Sequence, residues 1–188
     1  RKETTATGSS GKRLIEEIVA ASAADVQFTT GIDNTGDKYL IECIEVVPAT
    51  DNTTLLLTVS DDGGTTYESA NYKWAHSIHE SNGGVDDAES ISYSNLPLTG
   101  TNTGGNWGMD NAATSQSEVE IMIMRPAETG RYKPIRWIGS YRMAGSRPAE
   151  FKGAGSWEGG TGPLNGFKLA MSAGNINGIF RLWRLPKA

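Results

Sequence analysis

The stretches EVEIMIM (residues 118–124) and IRWIGSYRM (residues 135–143) decide the fold of this chain. In the first, Val119, Ile121 and Ile123 alternate with Glu118, Glu120, Met122 and Met124. In the second, Ile135, Trp137, Gly139, Tyr141 and Met143 alternate with Arg136, Ile138, Ser140 and Arg142. Successive side chains of a strand point to opposite faces, so a period of two sets one apolar row against a core. Reading outward, the same pattern recurs. Residues 54–60 alternate Leu55, Leu57 and Val59 with Thr54, Thr58 and Ser60, broken only by Leu56. Residues 39–47 (YLIECIEVV) are apolar on both sides, as in a strand central to a packed sandwich, and Pro48 ends the run. Val26 and Phe28 share a face, residues 72–78 read as extended, and residues 166–172 and 178–185 close the chain as two strands. Gly174, Asn175 and Asn177 in the short link between these last two predict a tight hairpin there.

No sustained helical period competes with these strands. Only residues 13–24, with Leu14, Ile15, Ile18 and Val19, fit either a short helix or an edge strand. The 23 glycines and a low hydrophobic fraction of 37% suit many turns around a thin two-layer core. The expectation is an all-β, jelly-roll-like β-sandwich over residues 13–188, preceded by a polar arm over residues 1–12. Two loop-like regions interrupt it. Residues 81–108 hold SNGGVDDAES (81–90) and TGTNTGGNWG (99–108), and residues 144–162 carry Phe151 and Trp157 among glycines. Long loops in compact domains usually carry contacts, which makes Trp107, Trp157, Phe151, Asp86 and Asp87 the candidate contact residues.

Charge and cysteine content exclude several classes. With 17 Lys and Arg against 22 Asp and Glu, the net charge of −5 argues against a groove that neutralises nucleic-acid phosphates. No run approaches the roughly 18 apolar residues that span a bilayer, so no membrane partner is expected. The single cysteine, Cys43, cannot form an intrachain disulfide; flanked by Glu42 and Glu45, it reads as a core residue rather than an activated thiolate.

The candidate chemical motifs are few. SDDGGTTY (60–67) is similar to the Asp-box of β-propellers, with Tyr67 in the place of Trp; Ser60, Asp62, Gly64 and Tyr67 are read as a structural turn. His76 and His79 have zinc-compatible spacing on a helix, but a strand sends them to opposite faces. Asp61-Asp62 and Asp86-Asp87 lack the spacing of a calcium loop. No nucleophile elbow, phosphate loop or dinucleotide fingerprint is present. The expectation is therefore no enzyme, no metal and no cofactor. Of the five tryptophans, Trp137 and Trp183 read as core or inter-subunit packing. Trp107 and Trp157 are either folded back under their loops or free to stack on a ligand.

Three segments together resemble virion structural proteins of tailed bacteriophages. They are FTTGID (28–33) with the strand after it, SDDGGTTY (60–67), and FKLAMSAGNI (167–176) with the last strand. In that group "FTTGID", "S-x-DGG-x-x-Y" and "F-x-MSSGNI-x-G-x-x-x-LYG" recur; here Leu182-Trp183-Arg184 stands in place of Leu-Tyr-Gly. The resemblance runs from about Val26 onward. It implies a non-enzymatic protein of the particle surface, either a capsid decoration (cement) protein partnered by the major capsid protein, with a homotrimer favoured, or part of a tail fibre that meets host-surface glycan. A glycan-degrading enzyme, suggested by the Asp-box alone, is the distant alternative.

Overall fold

The computed structural model describes residues 11–100 and 106–187. The described chain is built from twelve strands and no helix: β1 (Arg13–Ala23), β2 (Val26–Phe28), β3 (Gly36–Pro48), β4 (Leu55–Ser60), β5 (Tyr72–Glu80), β6 (Val85–Tyr93), β7 (Leu96–Pro97), β8 (Ser117–Met124), β9 (Ile135–Arg142), β10 (Pro148–Trp157), β11 (Gly166–Met171) and β12 (Ile176–Pro186). They form an eight-stranded sheet in the order β1-β12-β3-β8-β9-β10-β5-β6 and a four-stranded sheet in the order β2-β11-β4-β7. Every ladder is antiparallel.

This order is a jelly roll with an extension. The pairs β1·β12, β2·β11, β3·β8 and β4·β7 are the rungs of one long folded hairpin. Rolling that hairpin adds β12·β3 and β11·β4 and deals its rungs alternately to the two sheets. Two hairpins are inserted into the roll, β5–β6 between β4 and β7 and β9–β10 between β8 and β11. They join through β10·β5 and lengthen the large sheet by four strands beyond β8.

The core lies between the sheets. Phe28, Leu57, Val59 and Phe167 of the small sheet, with Ile41, Cys43, Ile121, Trp137 and Phe180 of the large one, are at most 2% exposed. Three buried tyrosines on the large sheet, Tyr39, Tyr72 and Tyr141, reach backbone groups beyond their own sheet: loops for Tyr39 and Tyr141, strand β4 for Tyr72. Tyr39 Oη donates to the Asp33 carbonyl at 2.9 Å, Tyr72 Oη accepts from the Val59 amide at 2.8 Å, and Tyr141 Oη donates to the Trp107 carbonyl at 2.6 Å. Each phenol satisfies its own polar end while holding a connection in place.

Several sequence expectations change here. Of residues 13–24, Arg13–Ala23 are strand, because β12 offers β1 a ladder along its length, interrupted by two register shifts, and only one face of β1 has a core to meet. The expected hairpin between the last two strands is absent. β11 and β12 lie in different sheets, and residues 172–175 cross between them. Residues 81–108 are not one loop but contain β6 and β7; β6 carries little sequence signal because an edge strand, largely polar on both faces, shows no apolar alternation. Residues 144–162 contain β10, whose alternation is hidden by inward-facing Gly153 and Gly155. A Cβ on Gly153 would collide with Trp137 Cε2 and Cζ2, so glycine there makes room for the indole. The expected arm lies outside the described residues except for Gly11 and Lys12, as do residues 101–105 of the second glycine-rich stretch.

Candidate functional site

The chemistry-bearing side chains are each engaged in structure. In the turn after β4, Ser60 Oγ accepts from the Gly64 amide at 2.8 Å and donates to Asp62 Oδ1 at 2.8 Å. The Asp62 carboxylate in turn accepts from the Thr66 amide at 2.9 Å and the Thr66 hydroxyl at 2.7 Å. These bonds hold its pKa at about 2, well below the usual carboxylate range. Gly64, at φ +86°, lies where a Cβ would collide with Thr29 Cγ2. Tyr67 packs under Lys168, whose Nζ stands 4.5 Å from the ring centre, and donates to Gln27 Oε1 at 3.1 Å. Ser60, Asp62, Gly64 and Tyr67 thus close one turn between them.

His76 and His79 are separated by the strand. His76 is buried on the core side of β5, its ring 4.9 Å from Trp74, and burial lowers its pKa. It lies near the Pro97 carbonyl, yet neither ring nitrogen completes a hydrogen bond of normal geometry. His79 points outward and contacts Ser77 Oγ at 3.0 Å. Among the described residues no group of three or more His, Cys, Asp or Glu side chains could hold a metal ion. Cys43 is fully buried, and loss of hydration raises its pKa.

The candidate contact residues part company. Phe151 and Trp157 are 2% and 5% exposed and lie in β10, so they are core residues and not surface contacts. Trp107 is partly buried against the core, and its carbonyl is held by Tyr141. Asp86 and Asp87 lie on β6, the outer edge of the large sheet. Trp137 is core as expected. Trp183, in contrast, is half-buried on the outer face, donating from Nε1 to Glu42 Oε2 at 2.6 Å, with Lys12 Nζ 4.4 Å from its ring centre.

What the sequence reading missed is the outer face of the large sheet. Cross-strand register lays its side chains in rows. One row runs Trp183, Leu40, Met122, Arg136, Ala154, Ala75 and Glu89 across β12, β3, β8, β9, β10, β5 and β6. The next row runs Arg181, Glu42, Glu120, Ile138, Lys152, Ser77 and Asp87 on the same strands. The long side chains Leu40, Met122 and Arg136 stand on one side of the small Ala154 and Ala75. The result is a trough of about 680 Å³ floored by the alanines and bordered by Ile138, Glu120 and Lys152. A second hollow, about 450 Å³, adjoins it beyond Ile138, among Glu118, Glu150, Ser140 and His79. Ile138 is 57% exposed between them. The inserted hairpins make this site: without β9, β10 and β5 the sheet would end at β8 and the trough would have no floor. Glu120, Arg136 and Lys152 take part in no ion pair among the described residues.

No family model matches this chain, and neither the curated proteins nor the solved structures give a match.

The trough has the make-up of a protein contact surface. It is apolar along its floor and charged at its margin, where Glu120, Arg136 and Lys152 stand. A sequence signal for it did exist. Leu40, Met122 and Ile138 are apolar residues at positions where strict alternation demands polar ones.

Proposed function

We propose that this chain is a non-enzymatic structural protein of a tailed-bacteriophage virion, a decoration or cement protein on the outer shell. One observation carries the reading. The three segments behind the resemblance, far apart in sequence, meet in space: the first begins at the end of β2, the second at the end of β4, and the third opens with β11 between them. The strands that follow the first and third, β3 and β12, pair in the large sheet. Phe28 pairs with Phe167, and Gly166 pairs with Ser60 at the root of the Asp-box turn. Asn165 Oδ1, in the loop that leads into the third segment, also accepts from the Gly63 amide of the second at 2.7 Å. Three motifs that meet around β11 form a single framework rather than three separate coincidences. That supports treating the resemblance as one signal.

The turn-capping bonds of Asp62 and the burial of His76 and Cys43 favour a structural role over catalysis. A jelly roll also recurs among viral capsid and lectin domains, which is analogy at the level of fold only. The tail-fibre alternative, which would stack Trp107 and Trp157 on a glycan, loses one of its anchors, since Trp157 is buried. Gold-labelled antibody against this chain, imaged on intact particles, tests the proposal. Label over the capsid is expected. Label confined to the tail would overturn the decoration role in favour of the fibre, and unlabelled particles would overturn both.

A further inference from the structure

We infer that the outer face of the large sheet is a self-association surface, which pairs with the same face of a second copy about a two-fold axis parallel to β9 at Ile138. The register of the sheet supplies the argument. A two-fold axis lying in the interface along β9 reverses each row, so a residue one strand before β9 meets the partner's residue one strand after it. In the central row this places Ile138 on the partner's Ile138, Glu120 on the partner's Lys152, and Lys152 on the partner's Glu120. Four charges without an ion pair among the described residues thereby become two ion pairs flanking an apolar contact. In the neighbouring row the same operation sets Met122 over the partner's Ala154 and Leu40 over the partner's Ala75, large side chains over small ones. One axis thus pairs Glu120 with Lys152 in one row and large side chains with small ones in the next.

The size is adequate. Five strands spaced about 4.8 Å apart and roughly eight residues long cover on the order of 650 Å² per copy. A standard interface buries about 800 Å² per partner. Two contacts oppose the pairing: Arg136 lies on the axis, and Glu118 faces the partner's Glu150. Arg136, Glu118 and Glu150 are all exposed long side chains, so solvent screening weakens both contacts.

This inference does not depend on the virion reading, and it replaces the three-fold association expected from sequence with a two-fold one. Sedimentation velocity on the full chain tests it. The expected result is a concentration-dependent dimer. Lys152→Glu or Glu120→Lys alone should weaken the dimer by at least about tenfold, since each sets like charges together on both sides of the axis. The double variant Glu120→Lys/Lys152→Glu should regain it. Ile138→Cys should cross-link to itself through a short bismaleimide that spans the roughly 10 Å between packed sheets, doubling the mass on a denaturing gel, while buried Cys43 stays unreactive. All three positions are exposed, and matching circular dichroism and melting of the variants would show that the fold is intact. A wild-type monomer throughout the micromolar range would overturn the proposal. So would a dimer indifferent to both single substitutions, or a dimer of the Ile138→Cys variant that fails to cross-link.

Discussion

Asp62 shows how a single residue takes on a structural part that its sequence context only suggests. Its carboxylate binds the backbone and hydroxyl of Thr66 and is itself bound by Ser60, so the folded state prefers it ionised. With the folded pKa near 2 and the unfolded value near 3.8, its stabilising effect is complete above pH 4 and is lost as pH falls through 2. Asp62→Asn should therefore lower the urea midpoint at pH 5, and the gap to wild type should close as pH approaches 2. A gap that stays constant with pH would contradict the capping role. His76 has the opposite charge logic with the same sign of pH dependence. Burial favours its neutral form, so its contribution is complete above about pH 6.5 and declines as acid forces a charge into the core. Lys133 is a residue that the sequence did not mark at all. It is 2% exposed, and its ammonium donates to the carbonyls of Arg131 at 2.6 Å, Thr161 at 3.3 Å and Gly162 at 2.5 Å, tying the β8–β9 connection to the loop before β11. Only tertiary structure brings those carbonyls to it.

Strand β10 shows what governs an element. Its central residues Gly153 and Gly155 have poor strand propensity, and by composition the segment reads as loop. The structure makes it a strand because its neighbours need the empty space: Trp137 occupies the volume above Gly153, and Leu96 Cδ2 would lie 2.8 Å from a Cβ on Gly155. Gly153→Val should destabilise the fold by about 1–3 kcal/mol through overpacking, read as a shift in the urea midpoint without a change in slope. Relief of part of that loss by Trp137→Phe would identify the indole as the clashing partner. β6 is the complementary case. It pairs on one side only, and Asp86, Asp87 and Glu89 protect its open edge from adventitious strand addition. Its acids therefore mark an edge rather than the loop that composition suggests.

At the scale of the molecule, the jelly roll joins the two ends of the chain. β1 pairs with β12, and β2 with β11, so most ladders require distant segments to meet before any contact repays the entropy of loop closure. Folding should accordingly be slow for the size of the chain, in the range of milliseconds to seconds. Stopped-flow refolding followed by tryptophan fluorescence would measure it, and a microsecond phase carrying the full amplitude would be inconsistent with this topology. The two inserted hairpins are the other property of the whole. Neither one alone extends the sheet to its full width; β10 must find β5 although β6 to β9 all lie between them in the chain.

The sequence by itself determined that the chain is all-β, which residues face the core in its regular strands, and that Ser60 to Tyr67 close a capped turn. Each of these depends on period-two alternation or on side chains that bond to their own neighbourhood, and such interactions are encoded within a few residues. Tertiary structure alone decided the partners of the strands, the burial of Phe151 and Trp157, the role of Lys133 and the rows that form the outer trough. Those follow from which distant strands lie about 5 Å apart and in what register, and register is a property of the pairing, not of either strand.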